Sequence, residues 1–394
     1  MHDVIVIGGG PAGSHVARHL AEKGYKLLVL ERKTGPGGKD CCTGIISEEC
    51  IKAFDIDSRV ILRELNSATL FSPSGISLHP YRKEPQAVVL DRSAFNNFMA
   101  ERAQAAGAEF HFNSHVTGIS VTGDGATVNI SSSGKNHQVV VKVVVIASGF
   151  NPGLNEMAGL GKYKDYVVGV QAEVEIPGLK EVEVYFGDLV PGFFSWLVPT
   201  VPGVGRAGLL SRTDPGAHLK KWLRQLVERG KIVTDDVKLN YGGIPLKPPS
   251  RTYGERIIAV GDAAGQVKPT TGGGIYYGLL GAKIAADVLV QALADNDLSA
   301  KRLASYERAW RRKLGRELRT GYWARKLFER MSERQIDRIF KIIKTGGIDE
   351  ALLKAKDISF DWHSRTISSL LKYQMVTKTL KLVKLPFRSA VIDR

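Results

Sequence analysis

Near the N-terminus stand six residues, Gly8-Gly9-Gly10-Pro11-Ala12-Gly13, whose chemistry lies in the side chains they lack. Gly8 allows a tight turn, Gly10 lets the backbone approach a pyrophosphate, and Gly13 permits close packing of a helix on a strand. With Pro11 and Ala12 opening that helix, backbone N–H groups and the helix dipole face the anion. Glu31 follows at the spacing where a carboxylate accepts hydrogen bonds from an adenosine ribose and disfavours a 2′-phosphate, with Arg32 beside it.

A second segment of the same kind lies far along the chain: ERIIAVGDAAGQVKPTTGGGI. An apolar strand leads into Gly261-Asp262, then a Pro/Gly-rich turn through Gly272-Gly273-Gly274, then a helix from Ile275. Asp262 suits the ribityl chain of a flavin, while the N–H groups around Gly272–Gly274 and the helix dipole suit a flavin C2 carbonyl and favour an anionic reduced ring. Together the two segments argue for FAD as the dinucleotide. Arg92, between a strand and a helix, suits FAD phosphate or ribose oxygens, with a surface salt bridge as the other reading. A further formal match, Gly203-Val204-Gly205-Arg206-Ala207-Gly208, follows Pro199 and Pro202 and precedes an apolar strand rather than a helix, so it reads as a hairpin turn.

The elements that position these residues follow from periodicity. DVIVI, the glycine turn, SHVARHLAEKG and KLLVLER form strand, turn, helix and strand, a right-handed parallel crossover. His15 and His19 fall on the outer face of that helix. Strands alternate over 67–91, a helix runs over 94–107, and hairpin strands follow, leading to a buried strand that ends at Ser148-Gly149 and returns to the parallel sheet. Period-2 pattern resumes over 166–212, an amphipathic helix spans 218–230, residues 274–293 are helical, and 300–394 is mostly helical with basic faces.

With 394 residues the chain exceeds one ordinary core. Its 24% charged and 43% apolar content is that of a globular protein. The net charge of +15 is uneven: residues 301–394 hold 24 Lys/Arg against 10 Asp/Glu. Those cations, interleaved with Trp310, Trp323, Phe328 and the run TLKLVKLPF (379–387), suit an anionic bilayer, a solvated helical face or, without any recognition motif, nucleic acid as the weakest option. Cys41, Cys42 and Cys50 have no partners for a disulfide framework and no zinc-ligand spacing, so a reduced cytoplasmic chain is expected, peripheral on the inner membrane face if the basic region lies on lipid. Cys50 reads as core. The nine histidines show no metal spacing, no basic stretch followed by an apolar signal core opens the sequence, so no secretory leader is expected, and no apolar run of about 18 residues occurs in it.

The GGGPAG start with Glu31, the LDRSAF segment around Arg92 and the GDAAGxxxPxxGGGI segment resemble FAD-dependent flavoproteins of the para-hydroxybenzoate hydroxylase fold. Within that superfamily, Cys42-Thr43-Gly44-Ile45 and Phe193-Phe194-Ser195-Trp196-Leu197-Val198-Pro199 are similar to the geranylgeranyl reductase family and its aromatic–x–Trp–x–x–Pro signature, with Phe194 where the family usually has Tyr. The resemblance spans about residues 1–300. It implies an α/β architecture: a discontinuous Rossmann-type FAD-binding domain (1–66, 89–165 and 254–299), a mixed β-sheet substrate domain (67–88 and 166–253) and a basic helical C-terminal region (300–394). It further implies an oxidoreductase acting on CH–CH bonds, in which reduced FAD passes a hydride to an isoprenoid C=C of a prenylated lipid, quinone or pigment precursor. NADPH, ferredoxin or another redox donor protein would supply the electrons. On this resemblance Cys42 lies near the flavin with Gly44 and supplies or relays the proton, with Cys41 as the fallback and a merely packed thiol as the plain reading. Phe194, Trp196 and Pro199 line the substrate, although strand aromatics are more often core. Two other classes compete: an O2-using aromatic hydroxylase or halogenase, and a flavin-bound membrane adaptor.

Overall fold

The computed structural model describes residues 2–37, 41–187, 189–190, 192–347 and 359–371. It divides into two compact units: 1–62, 89–167 and 242–318 form the first, and 63–88, 168–241 and 319–394 the second.

In the first unit, the strands Val4–Ile7, Leu27–Leu30 and Val143–Ile146 are apolar at every position and buried throughout, the pattern of a sheet covered on both faces. The sheet runs Tyr253–Gly254, Ile257–Ala259, Val143–Ile146, Val4–Ile7, Leu27–Leu30, Glu109–His111, with all neighbours parallel except the first pair. The first crossover is the helix Pro11–Ala21, which starts on proline, where its missing N–H costs nothing. A meander of Ser114–Val121, Ala126–Ser132 and Lys135–Val141 packs Val116, Val128 and Ile130 on the parallel sheet beside Ile5, Leu28 and Val144.

The helix Ile275–Ala294, with a mean hydropathy of 1.3 over 18 residues, has the length and composition of a membrane span. Its place is nevertheless in this core: eleven of its residues are buried, and Val290 accepts a hydrogen bond from Tyr25 Oη.

In the second unit the strands Tyr166–Glu175, Val204–Ser211, Phe194–Pro199, Val182–Phe186, Ala68–Phe71 and Ser77–Leu78 are neighbours in that order. They are antiparallel apart from the parallel pair Val182–Phe186 and Ala68–Phe71, so the sheet is mixed as expected. The helix Pro215–Glu228 buries Leu219, Trp222 and Leu223, and Tyr185 meets the Trp222 ring edge-on. Gly203–Gly208 lies in a hairpin, with Gly203 at φ +76° and Pro199 paired to Gly205, so this glycine pattern makes a turn and strand, as its missing helix implied.

The described part of 300–394 divides between the two units. The helix Ala300–Phe328 buries Leu303, Tyr306, Trp310 and Leu314 in the first unit, and after Leu318 the described residues belong to the second. There the helix Glu333–Thr345 sets Ile336 and Phe340 against Leu78, Phe186 and Phe328, and Asp337 accepts hydrogen bonds from Ser72 Oγ (2.6 Å) and Ser74 N (3.0 Å). The run 379–387 lies outside the described residues.

His15 departs from the expected outer face. Its ring meets Phe54 edge-on at 5.1 Å, and its buried Nε2 has no hydrogen-bond partner. Desolvation, with smaller repulsion from His19 and nearby cations, lowers its pKa from 6.5 to about 3. The folded chain thus keeps a neutral imidazole where the unfolded chain takes up a proton, so stability falls as the pH drops from 6.5 toward 3. The urea midpoint is expected to fall between about pH 7 and pH 5, and less in His15→Leu. Parallel curves for the two proteins would overturn this assignment.

Candidate functional site

The glycine turn is built by contacts that tolerate no β-carbon. A Cβ on Gly8 (φ +108°) would lie 2.4 Å from Ala147 O, and one on Gly13 would lie 2.0 Å from Gly8 O. The space beside Gly10 is open to 4 Å. Gly10 caps the helix Pro11–Ala21 without any side-chain bond, so the amides of the first turn remain turned outward. Beside this turn Ser148 Oγ is buried without a hydrogen-bond partner, a polar atom suited to a ligand oxygen. Glu31, expected to face a ribose, braces the turn as well: Oε2 accepts from Gly9 N (2.8 Å) and Oε1 from Lys33 N (2.9 Å). Arg32 is exposed at the end of its strand.

The distant segment joins the same place. Gly261 (φ +66°) opens a 3₁₀ turn through Ala264; a Cβ on it would meet Ala12 Cβ at 3.3 Å, and one on Gly278 would meet Gly261 Cα at 3.3 Å. Asp262 Oδ1 lies where a Gly274 Cβ would stand, at 2.7 Å, directly before the helix that starts at Ile275. Gly272 (φ +76°) and Gly273 close the turn, Gly272 N donating to Lys268 O at 2.8 Å.

Arg92 begins the helix Arg92–Ala105, and its side chain crosses Gly44 (φ +78°), where a Cβ would meet Cγ at 3.1 Å. The structure therefore brings Arg92 and the Cys42–Gly44 turn together. Cys41 packs on Gly242, with Cβ 3.3 Å from the carbon that glycine lacks; Cys42 is half-buried, and Cys50 is fully buried. Among the described residues no group of His, Cys, Asp or Glu could hold a metal ion.

In the second unit, Phe194 and Trp196 share one face of their strand, their rings 5.9 Å apart. The indole lies across Gly208, where a Cβ would stand 2.5 Å from Cζ2, and its Nε1 is buried without a hydrogen-bond partner. Pro199 falls on the opposite face, buried at the strand end, because alternation puts it with Ser195 and Leu197.

Sequence reasoning missed the residues behind these turns. Asn155 Nδ2 donates to Ala263 O (2.8 Å), and Tyr163 Oη bonds Asp262 O and Ala263 O (both 3.2 Å); burial, with Asp262 nearby, raises the Tyr163 pKa. Arg325 read as one cation among many, yet it is 4% exposed. Its guanidinium lies 4.8 Å from the Phe193 ring and 5.6 Å from Phe194, and Nη1 donates to Gly192 O at 3.0 Å. Desolvation lowers its pKa to about 10, Glu329 opposing the shift, so it stays charged at neutral pH. Glu329 also holds Arg212 Nη2 at 2.9 Å.

A glycine-built strand–turn–helix cradle, completed by a second turn from the far end of the fold, defines a Rossmann-type dinucleotide-binding oxidoreductase. In agreement, residues 2–176 match the family model described as pyridine nucleotide-disulphide oxidoreductase. The digeranylgeranylglycerophospholipid reductase 1 of Methanothermobacter thermautotrophicus is 32% identical over 355 residues, covering 86% of this chain and 89% of that protein. The chain belongs to the geranylgeranyl reductase family. A geranylgeranyl bacteriochlorophyll reductase-like protein from Thermoplasma acidophilum shares the fold at a TM-score of 0.84 and 22% identity, over 97% of this chain and 99% of that one. The halogenase PltM, solved with FAD, does so at 0.70 and 15%, over 98% and 93%.

Arg325→Leu is expected to lower stability by ~2 kcal/mol, since Gly192 O loses a charged donor and the three rings lose their cation. Urea denaturation with near-UV circular dichroism checks this, and a change below ~0.5 kcal/mol would count against a structural role.

Proposed function

We propose that the chain is an FAD-dependent reductase that saturates C=C bonds in the prenyl chains of a glycerophospholipid. The observation that carries the cofactor part is the meeting of Ala12, Gly261 and Gly278, which sets two glycine-rich turns from opposite ends of the sequence side by side. Gly8, Gly10, Pro11, Ala12 and Gly13 would hold the pyrophosphate against the helix N-terminus, and Glu31 the adenosine ribose. Arg92 and Gly44 would hold phosphate or ribose oxygens, Asp262 the ribityl chain, and the amides from Gly272 to Ile275 the flavin carbonyl. Reduced FAD, when bound, supplies a hydride. The relatives' printed substrate supports the rest, along with a half-buried aromatic surface of Phe194 and Trp196 suited to an apolar chain held away from water.

Saturation also needs a proton, and Cys42 is assigned to it. Cys41 is accounted for by its packing on Gly242, and Cys50 by burial in the helix Glu48–Phe54. A thiol is a competent general acid near neutral pH. The distant halogenase neighbours share only the fold and favour no oxygen chemistry in this chain.

The test is anaerobic. Full-length protein with chemically reduced FAD is mixed with a digeranylgeranylglycerophospholipid in detergent, and the lipid is followed by mass spectrometry. Each saturated bond adds two hydrogens, and Cys42→Ser slows that gain about a hundredfold while keeping FAD affinity. No gain with any prenyl lipid overturns the reaction, product formation that requires O2 would select the hydroxylase class, and full activity in the serine variant removes Cys42 from the proton path.

The basic C-terminal quarter supports a second part of this reading, an anionic bilayer as the source of the lipid. On the helix Glu333–Thr345 the exposed residues Arg334, Arg338, Lys341 and Lys344 follow one another at helical spacing, opposite buried Ile336 and Phe340. Phosphatidylglycerol vesicles should co-sediment the protein at low salt, and glutamine at Arg334, Arg338 and Lys341 together should weaken this about tenfold or more. Equal binding to phosphatidylcholine vesicles would overturn it.

A further inference from the structure

A buried chain of hydrogen bonds runs from the first C-terminal helix into the Gly261 turn. Tyr306 and Gln266 have no exposed surface. Tyr306 Oη donates to Ala259 O at 2.7 Å, at the end of the last sheet strand. Gln266 Nε2 donates to Tyr306 Oη at 2.8 Å, and Gly261 N donates to Gln266 Oε1 at 2.8 Å. The direction of every proton is fixed. Gly261 N–H can only donate, so Oε1 must face it; the amide nitrogen therefore faces Tyr306, whose own proton goes to a carbonyl that can only accept. Gln266 N also donates to Gly261 O at 3.0 Å, closing the turn from both sides.

The carboxamide sits where a side chain on the helix Ile275–Ala294 would otherwise be. A Cβ on Gly281 would lie 1.9 Å from Gln266 Oε1, so the bare glycine makes the space. Strand end, Gly261 turn, the helix after Gly274 and the helix Ala300–Phe328 thus converge on one amide. That amide fixes Gly261 in its left-handed conformation, one residue before Asp262.

We infer that Gln266 and Tyr306 are positioning residues for the cofactor: through the Gly261 amide they set the aim of Asp262 and of the turn that faces the flavin. The inference rests on the reading that this turn holds FAD. Tyr306→Phe removes the donor to Ala259 O and strands a buried Gln266 N–H, and the strain reaches the turn through Gly261. A matched control exists one helical turn on. Trp310, also fully buried, donates Nε1 to Thr252 Oγ1 at 2.9 Å, a bond of the same kind that ends just before the strand Tyr253–Gly254 and touches neither Gln266 nor the Gly261 amide.

The test titrates FAD into full-length apoprotein, following quenching of flavin fluorescence, and measures urea midpoints in parallel. Tyr306→Phe should weaken FAD binding about tenfold, whereas Trp310→Phe, with a comparable loss of urea midpoint, should bind FAD like the unaltered chain. Should Tyr306→Phe not fold, Gln266→Met, which removes the two side-chain bonds at similar volume, is held to the same criterion. Equal affinities in the Tyr306 and Trp310 variants, whether both unchanged or both reduced, would overturn the positioning role while leaving the cofactor assignment standing. Failure of the unaltered chain to bind FAD would overturn the cofactor reading and this inference with it.

Discussion

The first unit depends on backbone approaching backbone with nothing in between. Gly13 lies against the Gly8 carbonyl and Gly8 against the Ala147 carbonyl at separations that a single methyl group would prevent, and Gly261 lies between Ala12 and Gly278 with room for one only if a neighbour shifts. These contacts let a helix start within bonding reach of a strand end, which turns its unpaired amides outward as an anion site. Everything else near the turns serves to hold that geometry: Glu31 braces the first glycine turn, and Asn155, Tyr163 and Gln266 brace the second. A cradle made this way offers an anion dipoles rather than charges, which on the proposed reading suits a flavin whose charge changes on reduction.

The second unit solves the opposite problem. Its candidate surface is made of side chains, and the buried cation Arg325 sits among Phe193, Phe194 and Phe328. Desolvation of a guanidinium costs several kcal/mol unless it is compensated. Here the Gly192 carbonyl, three ring faces and the charge of Glu329 share that task, while Arg212 on the same carboxylate opposes it. The guanidinium thereby ties the Gly192 carbonyl and the Phe193 and Phe194 rings to one group.

The first unit was largely legible in the sequence because its rules are local. A continuous apolar run, glycines at fixed offsets and a following helix are enough to read Val4–Ile7, the turn and Pro11–Ala21, and the absence of a helix was enough to dismiss Gly203–Gly208. What stayed hidden is long-range. Tyr306 and Arg325 lie on one helix of a basic region open in the sequence to bilayer, solvent or nucleic acid, and neither stands out there, because periodicity does not say which surface will cover each turn of a helix. His15 failed for the same reason: the crossover helix has one face on the sheet, but Phe54 from a later segment covers another. Pro199 shows a subtler limit, since a motif read as a unit spreads over both faces of a strand once the pleat is applied.

The two ways of building a site also explain why the fold is shared by proteins of different chemistry. A cradle of amides demands only a few glycines and a strand–turn–helix path, so it places few demands on the remaining sequence. Such a cradle of backbone groups does not by itself select a reaction. On the proposed function, selection falls to side chains: the thiol of Cys42 beside Gly44, and the rings of Phe194 and Trp196 held over a strand that is bare at Gly208. The phenyl ring at 194 adds no polar atom to this face and the indole N–H of Trp196 is buried without a partner, which on the proposed reading suits a hydrocarbon chain.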